Sequence, residues 1–143
     1  MTATASTITY FATDTRNDEL ERLIRQDAYF GEFTQELLER AGLEPGMRVL
    51  DLGTGAGDVA LRVSRIVGPS GAVVGIDREE SAIGFARQRA ANAGVENVTF
   101  VASDLDSFVA DEPFDAIVGR MVLSFLPDPA VTLRRLLRAL KPG

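Results

Sequence analysis

The sequence predicts an α/β fold, a doubly wound and mainly parallel sheet with flanking helices. Four short apolar runs of strand length alternate with segments of helical periodicity. Each run is apolar at nearly every position, as expected for parallel strands that helices cover on both faces. Because crossovers between such strands are right-handed, the alternation predicts one parallel sheet wrapped by helices. The length of 143 residues suits a single domain with a substantial core.

The first predicted element is a helix over residues 18–41, which follows a polar, unpatterned segment, residues 1–17. We predict a flexible arm for that segment and one folded core over residues 18–143. Within the helix, apolar residues at helical spacing predict a stripe that faces the core: Phe33, Leu37, Leu38 and Ala41.

About four strands are predicted, at residues 48–52, 72–76, 98–102 and 114–119. Three further helices are predicted between and after them. The second carries a stripe from Val59 to Val67 and stops at Gly68-Pro69. The third begins with Ser81 as its N-cap and ends near Gly94. The fourth begins at Asp128-Pro129 and continues to Leu140.

Composition excludes several classes of site. The net charge of −6, from 15 basic and 21 acidic residues, disfavours nucleic acid as the main partner. The sequence has no cysteine and no histidine, which removes thiolate nucleophiles and the commonest metal ligands, so no metal site is predicted. No apolar stretch is long enough to span a membrane, and no secretory signal is recognisable. We therefore predict a cytoplasmic protein.

The stretch from Val49 to Gly57 predicts a cofactor-binding turn between a buried strand and a helix. Its glycines, among them Gly53 and Gly55, expose backbone N–H groups to a ligand. A dinucleotide fingerprint needs a third glycine where this chain has Asp58. Carboxylates beside the turn disfavour a pyrophosphate and suit S-adenosylmethionine, which carries positive charge and no phosphate. The alternative is a tight turn that binds nothing.

Two further acids follow strands at the same edge of the predicted sheet. Asp77 ends the second strand and can accept hydrogen bonds from two ribose hydroxyls; alternatively, it is an acid at a helix N-terminus. Asp104 follows the third strand and can accept a hydrogen bond from an adenine amine, helped by the backbone of Leu105. Its alternative is a turn residue.

Together these motifs resemble the class I S-adenosylmethionine-dependent methyltransferases. The resemblance also includes the fourth strand, residues 114–121, and the closing turn Leu140 to Gly143. It covers about residues 20–143, and among these enzymes the chain is most similar to the small-molecule group akin to ubiquinone/menaquinone biosynthesis. The resemblance implies a Rossmann-like fold, S-adenosyl-L-methionine as cofactor, a small-molecule acceptor and methyl transfer.

The predicted cofactor-binding residues are Asp51, Gly53, Thr54, Gly55, Asp77, Arg78, Ser103, Asp104, Leu105 and Arg120. Arg120 either anchors an acceptor carboxylate or a cofactor-site acid, or is an ordinary surface arginine. Gln26, Tyr29 and Phe30 of the first helix either close over the methionine end of the cofactor or only pack. No catalytic residue is assigned, because without histidine any base must come from Asp, Glu, Tyr, Lys or water.

The chain departs from the family pattern after its fourth strand. The family fold has seven strands, so the last ones are missing and we expect a truncated domain. An exposed fourth strand is then a site for self-association. Two other functions stay open: a nicotinamide or flavin oxidoreductase, which needs a glycine at position 58, and a non-catalytic cofactor-binding fragment.

Overall fold

The computed structural model describes residues 16–143 and contains one four-stranded parallel sheet in the order β3-β2-β1-β4. The predicted arm, residues 1–17, lies outside the described residues except for its last two, which begin the first helix. The elements in chain order are α1 (Arg16–Arg40), β1 (Arg48–Leu52), α2 (Asp58–Val67), β2 (Ala72–Asp77), α3 (Glu80–Asn92), β3 (Val98–Ala102), β4 (Ala116–Gly119), a short 3-10 helix (Leu123–Phe125) and α4 (Pro129–Leu137).

The predicted strands are confirmed, with two changes of boundary. The strand β2 extends one residue further than predicted, to Asp77. The strand β4 begins only at Ala116, because Phe114 instead forms an isolated parallel bridge with Leu140. Since β1 pairs with both β2 and β4, the carboxyl ends of these three strands meet at one edge of the sheet.

Two apolar clusters cover the two faces of the sheet. On one face, α2 and α3 pack their buried residues against Val49, Val73 and Phe100. On the other face, Leu136 of α4 and Phe114 pack against Leu50. The central strands are therefore covered on both sides and the edge strands partly so, which explains why the strands are largely apolar.

The predicted core stripe of α1 is confirmed for Leu38 and wrong for the other three residues. Phe33 is 66% exposed and Leu37 is 55% exposed, whereas Leu38 is buried. The side of α1 that meets the core carries residues at helical spacing that are mostly polar or small: Asp27, Gly31, Thr34 and Leu38. A side chain at position 31 would collide with α2, since an added Cβ would lie 1.9 Å from Nη2 of Arg62. A side chain there would require the guanidinium group of Arg62 to move away from its ion pair with Asp27.

Helix boundaries follow local hydrogen bonding. Ser81 is not the N-cap of α3, which begins at Glu80, and the backbone N–H of Glu79 donates to Oδ1 of Asp77 at 2.9 Å. Asp128 is confirmed as the N-cap of α4, where its Oδ1 accepts from the N–H of Val131 at 3.1 Å. The helix α4 ends at Leu137 rather than at 140, because the following residues turn to pair with Phe114.

No helix within residues 16–143 is long and apolar enough to cross a membrane.

Candidate functional site

A cavity of about 900 Å³ lies at the carboxyl ends of β1, β2 and β4. Its volume lies within the range of small-molecule and cofactor sites. All but one of the predicted cofactor-binding residues line it: Asp51, Gly53, Thr54, Gly55, Asp77, Arg78, Asp104, Leu105 and Arg120. The fold therefore gathers residues from four separate loops around one space.

Ser103 is the exception. It lines a separate cavity of about 460 Å³ that also includes Arg48 and Val101. Successive side chains of an extended segment point to opposite sides, so Ser103 and Asp104 face different cavities. The hydroxyl of Ser103 donates to the carbonyl oxygen of Asp104 at 3.1 Å.

The glycine turn is shaped by positive φ angles and close packing. Gly53 has φ +61° and Gly55 has φ +53°, in the left-handed region that glycine adopts without strain. A Cβ at Gly53 would also lie 2.5 Å from Cγ2 of Val122, so the turn has no room for a side chain there. The N–H of Thr54 donates to the carbonyl of Ile76 at 2.9 Å, which ties the turn to β2.

Asp51 lies beneath this turn and is only 1% exposed. The hydroxyl of Thr54 donates to its Oδ2 at 2.7 Å. Burial raises the pKa of Asp51 to about 7, although the hydrogen bond from Thr54 and the charge of Arg120 act in the opposite direction. This carboxyl therefore changes its charge near neutral pH inside the site.

Asp58 does not present the unbalanced negative charge that the sequence argument assumed. Nη1 of Arg89, on α3, donates to Oδ1 of Asp58 and to the carbonyl of Ala56, each at 2.7 Å. Burial raises the pKa of Asp58 even though Arg89 opposes the shift. Because Arg89 is distant in sequence, this neutralising partner appears only in the folded chain.

Asp77 is fixed at the cavity wall by two backbone donors. Its Oδ2 accepts from the N–H of Gly55 at 3.0 Å, and its Oδ1 accepts from the N–H of Glu79 at 2.9 Å. Each carboxylate oxygen retains further acceptor capacity for a ligand. Arg78 beside it is exposed, with Nε 3.9 Å from a carboxylate oxygen of Glu79. Asp77 is thus a preorganised acceptor next to the glycine turn.

The third strand contributes Asp104 and Leu105. The carbonyl of Asp104 accepts the N–H of Phe108 at 3.0 Å, which closes a turn and leaves the exposed carboxylate at the cavity. Leu105 is buried and joins the apolar cluster beneath the cavity.

A network that sequence reasoning missed links α1, α2 and the segment after β4. Asp27 accepts hydrogen bonds from Nη2 of Arg62 at 2.8 Å and from Nη1 of Arg120 at 2.9 Å. Burial alone would raise the pKa of Asp27, but the hydrogen bonds and charges of the two arginines outweigh it and lower the pKa. The only available signal was that Asp27, Gly31 and Thr34 share one helix face.

Of the three α1 residues considered from the sequence, only Gln26 lines the cavity. Its side-chain amide donates to the sulfur of Met121. Met121 has φ +55°, an uncommon conformation for a residue with a side chain and one that clusters at functional sites. Tyr29 is 83% exposed and packs edge-to-face on Phe30, with ring centroids 4.9 Å apart.

Within residues 16–143, no group of acidic side chains is arranged to hold a metal ion. The cavity is lined by charged groups from both sides of β1, with Asp77 at the end of β2 and Arg120 after β4.

Residues 43–143 match the model of a protein family described as "Methyltransferase domain". The chain belongs to this methyltransferase family. The Rossmann-like α/β fold predicted from the sequence is thereby confirmed, and a nicotinamide or flavin oxidoreductase is not favoured.

Curated relatives include the ubiquinone/menaquinone biosynthesis C-methyltransferase UbiE of Ectopseudomonas oleovorans. It is 38% identical over 108 residues, which cover 74% of this chain and 64% of that protein. The match to UbiE of Pseudomonas entomophila has the same identity and covers 42% of that protein. This methyltransferase chain thus spans about half the length of the curated relatives that it matches.

Solved structures that resemble this chain also include methyltransferases. A SAM-dependent methyltransferase from Aquifex aeolicus has a TM-score of 0.70 and 32% identity, covering 76% of this chain and 58% of that one. A SAM-dependent methyltransferase from Geobacter sulfurreducens, solved in complex with S-adenosyl-L-homocysteine, has a TM-score of 0.68 and 32% identity. The alignment covers 78% of this chain and 45% of the Geobacter chain.

Proposed function

We propose that this chain binds S-adenosylmethionine in the 900 Å³ cavity and serves methyl transfer to a small-molecule acceptor. The observation that carries the proposal is the carboxylate of Asp77, held by the N–H of Gly55 where the glycine turn meets β2. Membership of the methyltransferase family supports the reaction class.

The residues around the cavity fit the parts of this cofactor. Asp77 suits the two ribose hydroxyls, because both of its oxygens are fixed by backbone donors. Asp104 and Leu105 suit the adenine ring, with a carboxylate for its amine and an apolar contact. The glycine turn and Arg120 remain for the methionine portion. A dinucleotide fits less well, because Asp58 stands where a dinucleotide-binding turn needs its third glycine.

When bound, S-adenosylmethionine supplies a methyl group on a positively charged sulfur, and its leaving group needs no acid. The chain itself positions the reactants and excludes water, which can together lower the activation barrier by about 7–11 kcal/mol. Apolar residues from α1 and from the segment after β4 line the same cavity, among them Leu23, Met121 and Val122. They offer apolar contacts beside the proposed methionine end of the site, and we assign no general base.

A second proposal concerns assembly. Beyond the single bridge between Phe114 and Leu140, the described residues place no strand against the outer edge of β4. Unpaired backbone groups of this kind pair readily with another chain, so we propose self-association through β4. A concentration-dependent increase in molecular mass by sedimentation is expected, and a monomer at all concentrations would contradict it. The cytoplasmic location stays a prediction.

Isothermal titration calorimetry with S-adenosylhomocysteine tests the main proposal. We expect saturable binding to the unchanged chain and a loss of about tenfold to hundredfold in affinity for Asp77→Asn, because hydrogen bonds to a charged group are lost. Glu96→Gln is the matched control, since Glu96 is an exposed acid away from the cavity. No detectable binding by the unchanged chain, or equal affinities for Asp77→Asn and the control, would refute the proposal.

A further inference from the structure

The starting observation is one carboxylate shared by two arginines from different elements. Oδ1 of Asp27 accepts from Nη1 of Arg120 at 2.9 Å, while Oδ2 accepts from Nη2 of Arg62 at 2.8 Å. The three side chains are largely shielded from solvent, at 15% exposed for Asp27, 20% for Arg120 and 21% for Arg62. The carboxylate therefore fastens α1 to α2 and to the end of β4 at once.

Arg120 also lines the cavity and has N–H donors that no described residue occupies. Its hydrogen bonds within the described chain, to Asp27 and to the hydroxyl of Thr34 at 3.1 Å, both use Nη1. Nε and Nη2 make no hydrogen bond to any residue of the 16–143 range, and neither is buried without a partner. Nε and Nη2 lie on the same side of a guanidinium and match a carboxylate in a two-point contact.

The other arginines of the cavity are placed differently. Nε of Arg22 donates to Glu19 at 2.8 Å, so an acid on the same helix balances its charge. Arg78 lies directly after Asp77, at the end of the cavity that we assign to ribose. Arg120 is therefore the cation suited to the opposite end, beside the glycine turn.

The charges around the network leave positive charge for a ligand. Within residues 16–143, Asp27 is the acid that accepts hydrogen bonds from both guanidinium groups, whereas Asp58 acts on both arginines and Glu32 acts on Arg62 through charge alone. Asp58 already pairs with Arg89. Asp51 also interacts with Arg120, but with a pKa of about 7 it is only partly ionised at neutral pH. A ligand carboxylate would neutralise the remaining positive charge of the two arginines.

We propose that Asp27 is a positioning residue that holds Arg120 ready for the carboxylate of the cofactor's methionine portion. Binding of that carboxylate then also seats α1 over the cavity, because Asp27 belongs to α1 and its neighbours Leu23 and Gln26 form part of the wall. The inference deepens the proposed function and rests on it.

A pair of ligands separates this role from a structural one. S-adenosylhomocysteine carries the carboxylate, whereas 5′-methylthioadenosine lacks the amino-acid portion and keeps adenine, ribose and sulfur. We expect Arg120→Met to weaken S-adenosylhomocysteine about tenfold or more and to change 5′-methylthioadenosine by less than about twofold. Arg120→Lys, which retains the charge, is expected to recover part of the loss.

Asp27→Asn is expected to reduce the preference for S-adenosylhomocysteine over 5′-methylthioadenosine about threefold to tenfold, since Arg120 loses its ion pair. The matched control is Glu36→Gln, which removes an exposed acid of α1 that pairs with Arg40; its ratio is expected to stay unchanged. Circular dichroism of each variant identifies any that fail to fold, and the two Arg120 variants then decide the question.

Three outcomes are distinguished. Failure of both ligands to bind the unchanged chain contradicts the proposed function itself. If both ligands bind but Arg120→Met weakens them equally, the network is structural and the inference is overturned. A selective loss for S-adenosylhomocysteine that Arg120→Lys partly restores supports it.

Discussion

Replacement of Asp51 by asparagine is expected to change how the stability of the chain depends on pH. The carboxyl is 1% exposed and burial raises its pKa from 3.8 to about 7. Between these values the unfolded chain has released the proton and the folded chain still holds it. Folding therefore binds a proton in this range, and the free energy of unfolding decreases as pH rises, until the folded carboxyl ionises near pH 7.

The size of this effect on the free energy of unfolding follows from the pKa shift of Asp51. From pH 5 to pH 7 the two states differ by about one proton, and each pH unit then changes the free energy of unfolding by about 1.4 kcal/mol. Asp51 should thus destabilise the chain by about 3 kcal/mol between pH 5 and pH 8. Asparagine does not titrate, and its amide oxygen can still accept the hydroxyl of Thr54.

Urea unfolding, measured at pH steps from about 5 to 8, is the appropriate assay, because the difference between two variants cancels the other titrating groups. Relative to the unchanged chain, the free energy of unfolding of Asp51→Asn is expected to rise by about 3 kcal/mol from pH 5 to pH 8. Glu96→Gln should run parallel to the unchanged chain. Parallel profiles for all three chains would show that the carboxyl of Asp51 is not held neutral by burial, and would refute the reasoning.

The remaining predictions concern three local features. Gly53→Ala should lower the free energy of unfolding by about 1–3 kcal/mol in urea, because alanine is strained at φ +61°. It should also weaken the binding of S-adenosylhomocysteine in calorimetry. Gly84→Ala, in an open position of α3, should instead raise the free energy of unfolding by about 0.5–1 kcal/mol. Equal effects would contradict this. Asp128→Ala should cost about 1 kcal/mol of thermal stability through loss of the α4 N-cap, and an unchanged melting temperature would count against the cap. Thr54→Val removes a hydrogen bond that lowers the pKa of Asp51, so the pH at which the stability profile flattens should move upwards; a downward shift would be inconsistent with that bond.

The strands could be predicted closely because their signal is local. The central strands β1 and β2 are covered on both faces, and the edge strands β3 and β4 are partly covered, so burial leaves apolar runs whose limits are visible in the sequence. The glycine turn and Asp77 were visible for a similar reason, since a turn between strand and helix needs fixed residue types at a fixed spacing.

The helix α1 could be predicted from the sequence, but its buried face could not, because that face is not apolar. Asp27 and Thr34 face the folded body to meet arginines, and Gly31 admits one of them closely. Hydrophobic periodicity selects Phe33 and Leu37 instead, which are exposed.

The charge balance of the site also depends on contacts between distant residues. The pairing of Asp58 with Arg89 joins the start of α2 to α3, and Arg120 reaches Asp27 from the far end of the sheet. Sequence alone counts the carboxylates near the glycine turn but not the cations that fold against them. The preference for S-adenosylmethionine over a dinucleotide therefore rests on the missing third glycine at position 58 rather than on an unbalanced charge of Asp58.

Equilibrium dialysis of the unchanged chain against S-adenosylmethionine and, separately, against NAD⁺ tests the central claim most directly. The account predicts saturable binding of S-adenosylmethionine that Asp77→Asn weakens, and no saturable binding of NAD⁺, because Asp58 stands where a dinucleotide-binding turn needs its third glycine. Saturable binding of NAD⁺ without binding of S-adenosylmethionine would contradict it.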